Sequence, residues 1–257
     1  MTNNEKIPIK EEIVVASLDV LGMGKILDSK EGSKKALHIL NHIFQNTVDN
    51  FAYKISDDKP IPTFGYAVKF GDSIYLIGDP NQSIEEQTSH LILRVSGLIM
   101  MGVYRCDTRF LLRAGIARGD LIDVVLGVTG KPPNHVKNVT ERVIIGNSMS
   151  HANYLEECQL WIGGAVSGDL DCKSCMNYLV KYDIPLDPEK KIPKSFKPKY
   201  AINWLKVAKQ NDIDITQTNE IIDAISKVIG RNRKKDNIKI KRTKEFVDYI
   251  LKEKLYE

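Results

Sequence analysis

No apolar run in the 257 residues approaches the roughly 20 needed to cross a bilayer, so no helical membrane span is expected. The first twelve residues are polar and charged and contain no signal-peptide core, which makes the cytoplasm the expected location. Cysteine is scarce. Cys106, Cys158, Cys172 and Cys175 are the whole set, and they fit reduced thiols rather than a disulfide framework. Cys172-x-x-Cys175 has half the spacing of a zinc knuckle, but no second Cys/His pair follows at ligand spacing. His38 and His42 stand four apart on a helical pattern without a third ligand, and read as a solvent-side pair. There is no internal repeat and no low-complexity segment.

What is present suits an ordinary globular protein. Hydrophobic residues make up 42% and charged residues 27%, enough apolar material for a real core. The net charge of +4 is unevenly spread. Residues 231–244 hold Arg231, Arg233, Lys234, Lys235, Lys239, Lys241, Arg242 and Lys244 against Asp236, a net +7 that leaves the rest of the chain at −3. A nucleic-acid-binding globule would carry basic charge more widely, so no nucleic-acid partner is expected. The block reads as a solvated linker between two terminal helices.

Residues 13–24 (IVVASLDVLGMG) organise the chain. Their β-branched run reads as a strand buried on both faces, with Asp19 near its carboxyl end and a Gly22-x-Gly24 turn after it. An unpaired carboxylate is costly in a core strand, so Asp19 must reach the strand end or meet a cation. The glycines allow a tight turn whose N–H groups suit a polyphosphate. Residues 33–53 place Ala36, Leu37, Leu40, Ile43, Phe44, Val48 and Phe51 at helical spacing. A loop at 57–62 precedes two strands, 64–70 and 73–77, joined at Gly71-Asp72, a hairpin signal. Residues 84–104 are a long helix, apolar on most sides.

Strand 110–122 carries Gly115 and Gly119, which signal a bulge or close backbone approach. Residues 124–139 read as an irregular connection. Val143, Ile144 and Ile145 then lead into a helix through Ala152, Leu155 and Glu156, and 160–166 is another strand. Further strands are expected at 176–182 and 199–205, separated by a Lys/Pro-rich loop, and helices at 220–229 and 243–255. The βαββαβ order predicts an α+β fold with helices on one face of a mainly antiparallel sheet.

Asp19 and Asp72 come from positions adjacent in a βαββ unit. Two ionised carboxylates held together call for a cation, and Mg²⁺ or Mn²⁺ prefers carboxylate and phosphate oxygens. Leu18-Asp19-Val20-Leu21-Gly22, Phe70-Gly71-Asp72-Ser73, Arg113-Ala114-Gly115-Ile116-Ala117-Arg118-Gly119 and the run from Gly146 to Glu156 occur in the order seen in class III nucleotidyl cyclases, and residues 12–166 resemble that family.

The resemblance implies a ferredoxin-like core and two Mg²⁺ or Mn²⁺ ions held by Asp19, Asp72 and the Val20 carbonyl. It also implies a head-to-tail homodimer with shared sites. The triphosphate would lie against Leu21, Gly22, Met23, Gly24 and Lys25. Where the family has a transition-state asparagine and arginine, supplied across the dimer, this chain has Ser150 and Tyr154. Arg113, Arg118 and Lys25 are the candidate replacements.

The family's purine-selecting positions are Val68 and Val143, which cannot hydrogen-bond a base edge, while Tyr66 on the face of Val68 can stack on a smaller one. That pattern is similar to the pyrimidine cyclases of bacterial antiphage (Pycsar) systems. It implies a cyclic UMP or cyclic CMP product acting through a cyclic-nucleotide-responsive effector protein. On this reading residues 1–205 form the catalytic domain and 206–257 a basic helical extension. A purine cyclase, a palm-type dinucleotide synthase and a catalytically degenerate nucleotide-binding module are the alternatives.

Overall fold

Strand β1 (Ile9–Leu21) lies inside the sheet with both faces covered: Val14, Ala16, Leu18 and Val20 are buried on one side, Ile13 and Val15 on the other. The computed structural model describes residues 9–48, 64–104, 110–126, 141–170, 172–191, 197–229 and 234–257. The expected loop at 57–62, Phe51, Cys106, Arg231 and Arg233 lie outside them.

After β1 come α1 (Met23–Leu27), α2 (Gly32–Val48), β2 (Tyr66–Phe70), β3 (Ser73–Ile77), α3 (Ile84–Tyr104) and β4 (Leu111–Leu126). This is the expected βαββαβ unit, with strands ordered β2-β3-β1-β4 and every neighbouring pair antiparallel. The second half adds β5 (Glu141–Ile145), α4 (Asn147–Glu157), β6 (Gly163–Ser167), β7 (Leu179–Val180), β8 (Pro198–Ile202), α5 (Trp204–Gln210), α6 (Thr218–Ile229) and α7 (Lys234–Lys252). β6 joins β4 in parallel, β8 and β7 extend the sheet beyond it, and β5 pairs the far part of β4.

One face of the sheet carries most of the helices. Ala36, Ile39, Leu40 and Ile43 of α2 pack there, as does α3. Leu37, expected on that stripe, is exposed because it falls one residue, about 100° of helix, away from Ala36. α3 starts in a capping box, Ser83 with Glu86, and is buried nearly all round because α5 and α6 cover its outer side. The expectation of helices on one face holds for these, and α4 is the exception. It lies on the opposite face, where Ala152 and Met149 meet Ile13, Val15, Ile77, Ala117 and Leu121.

Glycines in β4 make that second layer possible. A Cβ on Gly115 would lie 2.6 Å from the Glu156 backbone nitrogen and closer still to the Ala152 carbonyl oxygen, and one on Gly119 would lie 2.7 Å from the Ser148 nitrogen. The close backbone approach expected at these positions is that of α4 on β4.

Four boundaries differ from expectation. β4 runs on to Leu126, because β5 pairs with its extension. The strand expected at 199–205 stops at Ile202, where the Asn203 side chain accepts the Lys206 N–H and starts α5. The strand expected at 176–182 shrinks to β7 behind a short 3₁₀ turn. The basic block is no linker: from Lys234 it forms the first turns of α7. Its charges are tolerated on the outer side through the pairs Lys241–Glu245, Arg242–Glu245 and Lys244–Asp248.

Buried Phe246, Val247 and Ile250 hold α7 to the core, with Phe246 edge-on to Trp161 at 4.6 Å between centroids. The reduced-thiol expectation is corrected at one pair: Cys172 and Cys175, with Cα atoms 5.7 Å apart in a turn, form a disulfide, and Cys158 is free and buried. Among the described residues, no helix is long and apolar enough to cross a membrane.

Replacing Gly115 by alanine should push α4 off the sheet. We expect a loss of about 3 kcal/mol in denaturant unfolding, at the upper end of overpacking costs, whereas alanine at open, helical Gly24 should be neutral or stabilise by up to about 1 kcal/mol.

Candidate active site

The register of the sheet sets side chains in rows on the α4 face. Tyr66, Ile77, Val15 and Ala117 make one row, Val68, Tyr75, Ser17 and Gly115 the next, and Ser73, Asp19 and Arg113 the row after that. Asp72 occupies the tight β2–β3 turn directly before Ser73, the cross-strand neighbour of Asp19. Gly71 takes φ +58°, a left-handed conformation that glycine adopts without strain, and so brings the turn round. The two aspartates are thereby brought to one end of the sheet, Asp19 half-buried and Asp72 exposed.

Arg113 fixes Asp19 from the other side. Its Nη2 lies 3.3 Å from Asp19 Oδ2, its Nε donates to Glu156 Oε1 of α4, and its Nη1 donates to the Gln159 carbonyl at 2.9 Å. Burial pushes the Asp19 carboxyl above its ordinary value of 3.8; the Arg113 guanidinium opposes this and the Asp72 charge adds to it. Burial likewise raises Glu156, to about 7, against the pull of Arg113.

The expected phosphate turn is distinct in shape. Gly22 takes φ +85° and starts α1, Met23 is buried in the core, and the space above Gly24 is open. Val20 and Leu21 are buried, so only their backbone is offered to a ligand. Lys25 turns towards the C-terminal helices, donating to the Ile229 carbonyl and pairing with Asp236 at 3.1 Å.

Other expected site residues are spread more widely. Arg118 sits across from Val14, five residues down the strand from the Asp19 row, and pairs with Asp169 at 3.2 Å. The structure does not bring it to the aspartates. Tyr66 and Val68 stand on the face of Asp19, four and two residues along their strand from its row. Val143 pairs with Val124 in the β4–β5 arm, and it is its neighbour Ile144 that joins Tyr66 and Tyr75 around the apolar patch. Ser150 and Tyr154 lie one turn apart on the outer side of α4, and Tyr154 donates to the Lys191 carbonyl.

Glu156 was legible only as the last residue of a motif, and Lys239, which acts on the charge of Asp19, was hidden in the basic block.

Asp19 and Asp72 fit a hard divalent cation: both offer carboxylate oxygens, and their mutual repulsion is what such an ion relieves. Among the described residues no three His, Cys, Asp or Glu side chains converge as a metal cluster, so the remaining oxygens would come from backbone, water or a ligand.

The chain is similar to the guanylate cyclase domain of RhGC from Catenaria anguillulae in complex with GTP, at 13% identity and TM-score 0.50 over 76% of this chain and 97% of that one. It is also similar to a bacterial light-regulated adenylyl cyclase, at 14% identity and TM-score 0.50 over 80% of this chain and 59% of that one. The fold is that of class III nucleotidyl cyclase domains. No protein-family model and no curated protein sequence matches the chain.

Glu156 gives the fold a pH dependence. Its proton is held more tightly folded (about 7) than at its ordinary value of 4.5. The stability it contributes is therefore full below pH 4.5 and is lost as pH rises through about 7. Urea unfolding at about pH 5 and about pH 8 should show the native protein losing up to about 3 kcal/mol relative to Glu156→Gln over that interval. Parallel profiles would refute the assignment.

Proposed function

We propose that the chain is a nucleotidyl cyclase that converts a nucleoside triphosphate, UTP or CTP in preference to ATP or GTP, to a 3′,5′-cyclic monophosphate and pyrophosphate. The observation that carries this reading is the placement of Asp19 and, one residue before its cross-strand neighbour Ser73, Asp72 at one end of a class III cyclase fold, beside an open glycine turn. In the reaction the ribose 3′-oxygen bonds to the α-phosphorus while the bond from that phosphorus to the bridging oxygen breaks. The 3′-hydroxyl proton passes to water, and pyrophosphate leaves with the electron pair.

Asp19, Asp72 and the Val20 carbonyl would hold two Mg²⁺ or Mn²⁺ ions, which when bound lower the pKa of a hydroxyl and neutralise phosphate charge. The chain's own part is placement. Arg113 locks the Asp19 carboxylate to α4 through Glu156, so its direction does not drift during turnover. The backbone N–H groups from Leu21 to Gly24 would face the triphosphate, those of Met23 and Gly24 lying in the first turn of α1, where no side chain caps them.

Base preference follows from what the α4 face lacks. Val68 and, from the β4–β5 arm, Ile144 offer no hydrogen bond to a purine edge, which would be left unpaired there. Tyr66 and Tyr75 narrow the same surface. A second copy in head-to-tail arrangement would add the α4 stripe of Ser150 and Tyr154 to each site. The product would act through a cyclic-nucleotide-responsive effector, the arrangement of the antiphage cyclases that the sequence resembles.

Purified protein with Mn²⁺ and each nucleoside triphosphate in turn should yield the mass of cyclic UMP or cyclic CMP. Asp19→Asn and Asp72→Asn should each lower the rate at least about 100-fold, the upper end of what loss of a supporting group near a metal costs. No cyclic product from any of the four nucleotides would overturn the proposal, and a dinucleotide product would redirect it to a palm-type synthase.

A further inference from the structure

The site as described lacks a free cation for the leaving pyrophosphate. Arg113 is held by Asp19, Glu156 and the Gln159 carbonyl. Arg118 stands five residues down the strand, and Lys25 is engaged by Ile229 and Asp236. The outer stripe of α4 carries Ser150 and Tyr154, neither charged. Charge that develops on leaving phosphate oxygens needs a fixed cation, so another element must supply it.

Helix α7 is pinned across the site at two points. Asp236 pairs with Lys25 beside the glycine turn, and Thr243 Oγ1 accepts the Ile162 N–H at 2.9 Å. Ile162 directly precedes Gly163, the β6 residue that pairs with Arg113. Residues 236, 239 and 243 follow the i, i+3, i+7 spacing of one helix face. Lys239 is therefore carried between the phosphate turn and Arg113, on the side of the helix that meets the site. It is half-buried and makes no ion pair among the described residues, whereas Lys235, Lys241, Arg242 and Lys244 of the same helix all pair with surface carboxylates. The charges acting on it are Arg113, Asp19, Asp236 and Glu156.

We propose that Lys239 is a catalytic residue: supplied in cis by α7, its ammonium binds the β- and γ-phosphates and takes up the charge of the departing pyrophosphate. This rests on the cyclase reading and assigns to the C-terminal helix the cation that the α4 stripe lacks. The bonds made and broken are unchanged. Lys239 stays protonated throughout and acts as a fixed positive charge beside the leaving group. A count of charge shows where it acts. Lys25 and Asp236 offset each other, as do Arg113 and Glu156, so Asp19, Asp72 and a fully ionised triphosphate outweigh two divalent ions by two negative charges, one of which Lys239 takes up.

The test is calorimetric titration of the full chain with inorganic pyrophosphate, without added metal, alongside the cyclase assay. Lys239→Met should weaken pyrophosphate binding at least about tenfold and kcat/KM about 100-fold; Lys239→Arg should restore most of both, and Lys241→Met should change neither by more than about twofold. A thermal unfolding midpoint for each variant separates loss of the cation from loss of the fold. Native protein that fails to bind pyrophosphate, or Lys239→Met that binds it as well as native protein does, overturns the proposal. Cyclic product from Lys239→Met at the native rate overturns it and keeps the cyclase reading. Absence of product from native protein, with pyrophosphate binding lost in Lys239→Met, overturns the cyclase reading and keeps Lys239 as an anion ligand.

Discussion

Arg113 ties the two layers of the protein together. One guanidinium spans Asp19 on β1, Glu156 on α4 and the carbonyl of Gln159 beyond it, with little of any partner exposed. In so dry a setting a fully used fork is tolerated, while removing any partner leaves a charge uncompensated. The contact requires α4 to lie almost against β4, and that requires Gly115 and Gly119. Gln159 extends the same network, donating to the Ala114 and Leu155 carbonyls and accepting from Trp161, the ring on which Phe246 of α7 packs. The position of Asp19 and the seat of the last helix thus depend on one arginine.

Most of the architecture could be read from the chain because its signals are local. The unbroken run of β1, the Gly71-Asp72 turn and the paired glycines of β4 each record a constraint felt within a few residues, and together they give the βαββαβ order of the core. Places where a local pattern was overruled share a different cause. Residues 199–205 look like one strand, but the Asn203 side chain caps a helix in their middle. Residues 231–244 look like a solvated linker, because eight basic side chains conceal the Asp236, Lys239 and Thr243 face that meets the site. The partners that give this face its meaning, Lys25 and Ile162, are too distant in sequence for any window to see.

That face changes what the charge of the chain means. A +7 block on an otherwise acidic chain reads as a solvated surface, and most of its described members do pair with carboxylates. Lys239 does not. Its burial disfavours the ammonium, Arg113 adds repulsion, and Asp19 offsets part of both. A lysine kept there at such a cost is best accounted for by an anion that offsets the remainder, and a polyphosphate at the adjoining turn is an anion of the right kind.

The rows of the α4 face divide the remaining work. The row of Asp19 holds the charges, and the two rows behind it hold Val68 with Tyr75 and Tyr66 with Ile77. A strand advances about 3.3 Å per residue, so these rows begin about 7 Å from the carboxylates. On the proposed function, that is close enough for a sugar to span from the reacting phosphate to a base resting on them. Such a surface leaves a purine edge unpaired and also discriminates by shape, by factors of about 10 to 200. Discrimination between pyrimidines and purines is a difference of a whole ring and falls within that range. Discrimination between uracil and cytosine, which differ in donor and acceptor pattern, does not, and has to come from a polar group at the Tyr66 row.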